Sequence, residues 1–262
     1  MHMAIKRLFG WLGTLRSAGN QDKDARDLNK LGERLLAATE GLRWPEERLQ
    51  MQYTGASGAR SLSQAVDFIN LLAAHVPALE SKHWRGLDFG VGWGRFASLM
   101  TAYGSPSQLD CVDAWEVSLE RAKTCGLQNR MTAVPAVLAQ GDLPGKDYDF
   151  IYAYSIFTHL SKLNFAQNLR VLSSALKPGG TLLFTVRDPS FIGFLQSIGK
   201  YNSKEDTLAT DGYWFGNAES EYYGDTVVTS EWLARNVAPL GKLERLGTMP
   251  NEVTQVAMKL TV

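Results

Sequence analysis

The stretch Asp88-Phe89-Gly90-Val91-Gly92-Trp93-Gly94 constrains the fold of this chain more than any other. Three glycines alternate there directly after Trp84-Arg85-Gly86-Leu87, and an acid stands two residues before the first. Glycine has no Cβ, so its backbone turns tightly and lets a ligand come close. A strand ending in this loop, with a helix starting at Arg95, is expected to set bare N–H groups and a helix N-terminus around a small polar ligand. A dinucleotide fingerprint reads G-x-G-x-x-G. Here the spacing is G-x-G-x-G, and Arg95 stands where that fingerprint places its last glycine.

From residue 85 onward, short apolar strands alternate with helical segments, which predicts βαβ units and a mainly parallel, doubly wound α/β sheet. Strands are expected at Gly86–Phe89, Leu109–Val112, Asp149–Tyr154 and Thr181–Val186, then near Leu243–Gly247 and Thr254–Leu260. Helices are expected at Arg95–Tyr103, Val117–Cys125, Asn164–Leu176 and Ser230–Val237. Pro178-Gly179-Gly180 reads as a tight turn, and the segment from Arg187 to about Thr229 as long and irregular. Before residue 60 the pattern is helical: Ile5, Leu8, Phe9, Leu12 and Leu15 recur at helical spacing, and Leu31–Leu42 continues as a helix ended by Trp44-Pro45. Ser61–His75 is a further helix, with Ser61 as its cap. The division expected is a helical extension over residues 1–59 and one α/β domain over 60–262.

Composition excludes several classes. The chain has 262 residues, 45% apolar and 21% charged, enough for a full core in a soluble globular protein. Lys+Arg and Asp+Glu are both 27, so no net charge draws it toward nucleic acid. Its two cysteines, Cys111 and Cys125, lack metal spacing and read as reduced thiols of a cytoplasmic protein. The four histidines, at 2, 75, 83 and 159, show no ligand spacing, so no metal is expected. No apolar run reaches the length of a spanning helix, and Arg16 interrupts the first apolar patch, which argues against a signal peptide.

Asp113 follows Leu109-Asp110-Cys111-Val112 and lies 23 residues beyond Gly90. In a doubly wound sheet an acid ending the second strand sits beside the glycine loop and can accept hydrogen bonds from both hydroxyls of a ribose. Four blocks then carry a resemblance: Leu87–Gly94, Asp113–Ala122, Asp147–Ser155 and Leu176–Leu183, in this order. They resemble motif I, the acid loop, the fourth strand and the turn before the fifth strand of class I S-adenosylmethionine-dependent methyltransferases. The resemblance implies a Rossmann-like sheet of seven strands, the last antiparallel, and S-adenosylmethionine as cofactor. It implies Asp88 and the Gly90, Gly92 and Gly94 backbone at the methionine portion and Asp113 at the ribose. Ala114 and Trp115 would flank the adenine, and Tyr154 and Ser155 would lie under the sulfonium. Many relatives hold an acid against the adenine amino group. Here that loop reads Val134-Pro135-Ala136-Val137-Leu138-Ala139, with Asp142 further on, which leaves the contact to backbone groups.

Ser155-Ile156-Phe157-Thr158-His159-Leu160 and the tail from Tyr223 to Leu233 resemble bacterial methyltransferases associated with polysaccharide and glycan biosynthesis. That implies transfer of a methyl group to a hydroxyl of a sugar or glycan intermediate. The alternatives are a small-metabolite or amine acceptor, or a cofactor-binding partner protein without catalysis. A sugar hydroxyl needs its proton removed, and His159, just past the fourth strand, is the candidate general base. The competing reading is a histidine that caps a helix or packs under the cofactor. Arg187, Trp214, Tyr222 and Tyr223 are the candidate substrate residues, since aromatic faces stack on sugar rings. A hydrophobic cluster anchoring a long loop would use the same residues. The amphipathic stretch within residues 1–20 suits peripheral membrane contact or packing against protein. Acceptor identity and oligomeric state are not readable from these residues.

Overall fold

The computed structural model describes residues 43–81, 83–201, 207–250 and 255–262. The helices expected at Ile5–Leu15 and Leu31–Leu42 lie outside the described residues. The described elements run α1 (Glu47–Thr54), α2 (Gly58–His75), β1 (Gly86–Phe89), α3 (Arg95–Met100), β2 (Leu109–Asp113), α4 (Glu116–Thr124), β3 (Arg130–Ala133), β4 (Tyr148–Ala153) and α5 (Lys162–Ser174). They continue with β5 (Leu176–Arg187), α6 (Ser190–Ser197), α7 (Leu208–Asp211), β6 (Tyr213–Gly216), β7 (Asp225–Val228), α8 (Ser230–Asn236), β8 (Lys242–Thr248) and β9 (Gln255–Thr261).

Seven strands form one sheet in the order β3-β2-β1-β4-β5-β9-β8. The first five are parallel. β9 runs antiparallel between β5 and β8. This is the doubly wound, Rossmann-like architecture expected from the alternating pattern. The central strands read as continuous apolar runs because helices cover both faces. On β4 the side chains alternate between the two sides. Phe150 and Tyr152, with Tyr154 beyond the strand end, pack with α2 and α3, while Ile151 and Ala153 join the core beneath α5. Phe68 of α2 is fully buried, with its ring 5.0 Å from Phe96 and 4.8 Å from Tyr154. Truncating such a side chain typically costs about 3–5 kcal/mol, so α2 is part of the sheet's core rather than an appendage to it.

Several details differ from expectation. β3 was not anticipated, because an edge strand with half-exposed side chains shows no apolar alternation. β5 begins at Leu176 rather than Thr181. Its pairing with β4 jumps from Leu176 opposite Tyr148 to Thr181 opposite Phe150, so Pro178-Gly179-Gly180 loops out of the ladder as a bulge. α3 stops at Met100, short of Tyr103. The segment expected to be irregular holds α6 and a separate two-stranded sheet, β6 with β7. No helix among the described residues is long and apolar enough to cross a membrane.

Candidate active site

The strand order reverses between β1 and β4, and a doubly wound sheet opens a crevice at the carboxyl ends of its strands there. A cavity of about 760 Å³ occupies that place. Gly90 and Gly92 of the glycine loop line it, whereas Gly94 does not and backs onto Leu127. Gly90, Gly92 and Gly94 have φ of 86°, 56° and 90°, values that side-chain-bearing residues rarely adopt. A Cβ on Gly90 would stand 2.1 Å from Ile156 Cδ1. The expectation of bare N–H groups needs correction. Gly90 and Val91 both donate to the Val112 carbonyl, at 2.9 and 3.1 Å, and Gly92 donates to Asp113 Oδ2 at 2.9 Å. The loop is tied to the tip of β2, so its contribution is close approach and shape rather than free donors.

Asp113 lies on the cavity wall at the end of β2. Its Oδ1 accepts from Trp115 N at 2.9 Å, which turns the carboxylate into the cavity beside Gly92. Burial raises its pKa, and backbone N–H groups oppose that shift. Each oxygen retains a lone pair for a further donor. Ala114 and Trp115 line the same wall, with Trp115 52% exposed as an open aromatic face. Val134, Pro135 and Ala136 continue it and bring no acid. Asn168 holds this turn, donating to the Ala136 carbonyl at 2.9 Å and accepting from Leu138 N at 2.8 Å.

Asp88 is a second correction. It does not reach the cavity wall. It lies directly opposite Tyr152 in the β1–β4 register, is 2% exposed, and accepts from Tyr152 Oη at 2.8 Å. Burial pushes its pKa to about 8, with nearby Asp113 adding to the rise. The alternation of a strand puts Asp88 on the inner face, under the loop rather than in it.

Tyr154 and Ser155 line the cavity past the end of β4. Ser155 has φ of 60° and donates its N–H to Thr185 Oγ1 at 2.8 Å. That sharp turn carries the chain into the 155–161 loop, which the β6–β7 hairpin holds from outside. Thr226 N donates to the Thr158 carbonyl at 2.9 Å and Gly224 N to the His159 carbonyl at 2.9 Å. Tyr213 Oη donates to the Leu160 carbonyl at 2.7 Å.

His159 is mostly buried at the cavity edge. Its Nδ1 lies 2.7 Å from the Gly224 carbonyl, an acceptor, so Nδ1 carries the proton and Nε2 keeps its lone pair. Burial pushes the imidazole pKa down to about 4, and the Arg187 charge adds to this, so the ring is neutral near pH 7. Tyr223 stacks on it at 4.8 Å and 13°, and Trp115 tilts against Tyr223 at 5.4 Å. Arg187 lines the cavity from the end of β5, donates to Asp225 Oδ1 at 2.6 Å and lies over the Phe191 ring. Tyr222 and Tyr223 line the cavity. Trp214 does not. It is 1% exposed and packs with Phe191, Leu195 and Val227, so it supports the wall from behind.

The sequence reading missed the roof. Gln52, Tyr53, Thr54, Arg60 and Gln64 of α1 and α2 all line the cavity, on both sides of the expected boundary at residue 60. Tyr53 is pinned over Gly92 by Arg121, which donates to its hydroxyl at 2.7 Å. No apolar periodicity marks a residue whose partner lies 68 positions away.

Residues 87–184 match the family model described as a methyltransferase domain. No curated relative matches. Among solved structures, the chain is similar to an S-adenosylmethionine-dependent methyltransferase from Clostridium acetobutylicum, at 14% identity over 82% of this chain and 96% of that one, with a TM-score of 0.55. It is also similar to an amino pentose methyltransferase of calicheamicin biosynthesis from Micromonospora echinaspora, at 15% identity, 85% and 98% coverage and a TM-score of 0.54. A third is magnesium protoporphyrin IX methyltransferase from Synechocystis PCC 6803, at 12% identity, 87% and 93% coverage and a TM-score of 0.53. At these identities the likeness is one of fold. The matched segment contains the glycine loop, Asp113, the β4 tip and His159, the groups that meet at the cavity. The floor without side chains, the inward acid and the open aromatic face fit a nucleoside with a short chain attached. Residues 87–184 of the chain thus match a methyltransferase domain, set in a sheet of the class I S-adenosylmethionine-dependent methyltransferase fold.

Proposed function

We propose that the acceptor is a hydroxyl of a sugar or glycan intermediate, and that His159 takes its proton. The observation that carries this reading is the Nδ1 contact to the Gly224 carbonyl at 2.7 Å. It leaves the Nε2 lone pair as the basic site on a neutral ring at the edge of the cavity. S-adenosylmethionine supplies the electrophilic methyl carbon. The chain's own task is to hold the nucleophile in line and accept its proton. In this reading Asp113 accepts the ribose hydroxyls, and Ala114 and Trp115 flank the adenine. Gly90, Gly92 and Gly94 back the methionine portion, and Tyr154 and Ser155 lie beside the sulfonium. Asp88 acts indirectly, by bracing β1 against β4 through Tyr152. Arg187, Tyr222 and Tyr223 face the acceptor, with polar and aromatic groups suited to a hydroxylated ring. An amino pentose methyltransferase is built on the same fold.

The test is methyl transfer from labelled cofactor to a panel of free sugars, nucleotide sugars and amines, with wild type and His159→Ala. The expected outcome is transfer to a sugar hydroxyl, with turnover reduced about 10²–10⁴-fold in the variant and S-adenosylhomocysteine affinity unchanged. Full turnover by the variant would remove His159 from the chemistry. Transfer confined to amines would replace the hydroxyl acceptor.

A further inference from the structure

Phe191, Phe194 and Ile198 follow one another at three and four positions on α6 and its C-terminal cap, so they form one stripe along the helix. Phe191 and Phe194 line the cavity, as does Arg187 at the end of β5. Their two rings lie 5.4 Å apart. Exposure rises along the stripe, from 3% at Phe191 to 37% at Phe194 and 47% at Ile198. Phe191 is anchored from behind by Leu195, Trp214 and Val227. An apolar path therefore leaves the cavity along α6, about 10 Å long at the rise of a helix.

Single apolar side chains on a surface are ordinary, but this stripe begins inside a cavity. The charges at its start are taken up by the protein. Arg187 lies over the Phe191 ring at 4.1 Å and donates to Asp225 at 2.6 Å. Asp188 accepts from Arg245 at 3.1 Å and from the Ser190 hydroxyl. The start of the stripe thus offers apolar surface with no uncompensated charge beside it.

Its place in the fold indicates what lies there. α6 follows β5, on the far side of β4 from the tips of β1 and β2 where the cofactor is read. Arg187 links the stripe to the candidate base, since it also donates to the Thr158 carbonyl, next to His159, at 3.3 Å. The occupant is therefore part of the acceptor. Phe194 and Ile198 are two partly exposed side chains, far short of the roughly 800 Å² per partner that a stable protein interface covers. A path one side chain wide suits a linear chain rather than a second ring system. We propose that the acceptor carries a linear alkyl or acyl chain, which lies along Phe191, Phe194 and Ile198 while its polar end stays at His159 and Tyr223.

This deepens the acceptor reading and rests on the reacting group lying at His159; the experiment separates the two. Calorimetry on the full chain loaded with S-adenosylhomocysteine would compare octyl with methyl β-glucoside, and octylamine with methylamine, all below their micelle concentrations. The octyl member is expected to bind about 10- to 100-fold more tightly than the methyl member. Phe194→Ala is expected to cut that ratio several-fold, and Phe194→Leu, which keeps apolar bulk, to retain most of it. Leu163→Ala, at an exposed apolar residue on α5, is expected to leave the ratio unchanged. A chain preference confined to the amines keeps the stripe and removes the hydroxyl acceptor. No preference in either pair, or an equal loss in Leu163→Ala, overturns the proposal. If the preference is absent and Phe194→Ala instead releases the protein from phosphatidylcholine vesicles, the stripe is a membrane contact. Thermal unfolding of each variant checks the fold.

Discussion

The His159 imidazole sits under opposing influences from three pieces of chain. Burial in the 155–161 loop and the Arg187 charge at the end of β5 disfavour its protonated form. The Gly224 carbonyl and Asp225, 3.9 Å away on β7, favour it. The first pair dominates, and the pKa falls to about 4. A general base works only when deprotonated, so activity drops as pH falls through that value. An unperturbed histidine would lose half its basic form near pH 6.5. The turnover number is therefore expected to stay flat from pH 8 down to about pH 5.5. In Arg187→Gln the main opposing charge is gone, and the acid limb is expected to move upward in pH. Steady-state profiles of both proteins check this, and a wild-type limb near 6.5 would contradict it.

At the scale of elements, the β6–β7 hairpin matters most, and its pairing was the least legible part of the chain. The parallel core could be read because helix-covered strands are short apolar runs ended by turn residues, as at Gly86–Phe89, where the expected and observed bounds coincide. The hairpin strands Tyr213–Gly216 and Asp225–Val228 are short and separated by an eight-residue loop, and their partners lie more than 50 positions upstream. Long-range stitching of that kind leaves no period in the sequence. The same limit hid the cavity roof, since Tyr53 and Arg60 acquire their roles from Arg121 and from the cavity, not from their neighbours. Trp214 was misplaced for a related reason: on a strand, adjacent aromatics face opposite ways, and only the fold shows which way each faces. The hairpin's grip on the 155–161 loop can be tested through Tyr213, whose hydroxyl donates to the Leu160 carbonyl while its ring is buried beside Trp232. Tyr213→Phe removes one buried hydrogen bond, a loss of about 1 kcal/mol. That corresponds to a fall of about 2–4 °C in melting temperature for a domain of this size. Turnover is expected to fall several-fold with S-adenosylhomocysteine affinity unchanged, because Tyr213 touches the loop that carries His159 and not the cavity. Equal losses in turnover and cofactor affinity would mean that the hairpin supports the whole crevice rather than the base alone.

For the whole molecule, the sheet has an acid close to its centre. Asp88 on β1 lies between Tyr152 on β4 and Cys111 on β2, and the charges of Asp113 and Arg95 act on it in opposite directions. Ionising it there means placing a charge in the core, and its pKa stands at about 8 instead of the 3.8 of a free aspartate. The sign of the consequence follows from proton counting. Between about pH 4 and pH 8 the folded chain keeps a proton that the unfolded chain has released, so stability falls as pH rises across that window. Below it the contribution is complete, and above it the contribution is lost. Asp88→Asn keeps an oxygen to accept the Tyr152 hydroxyl and has nothing to titrate. Any cost of its extra N–H donors is independent of pH. The melting temperature of Asp88→Asn relative to wild type is therefore expected to climb steadily from pH 5 to pH 8 and then level off. Thermal scans at half-unit pH steps would measure the difference. A difference constant across that range would show that Asp88 is ionised in the folded sheet, with Arg95 or Tyr152 stabilising the charge.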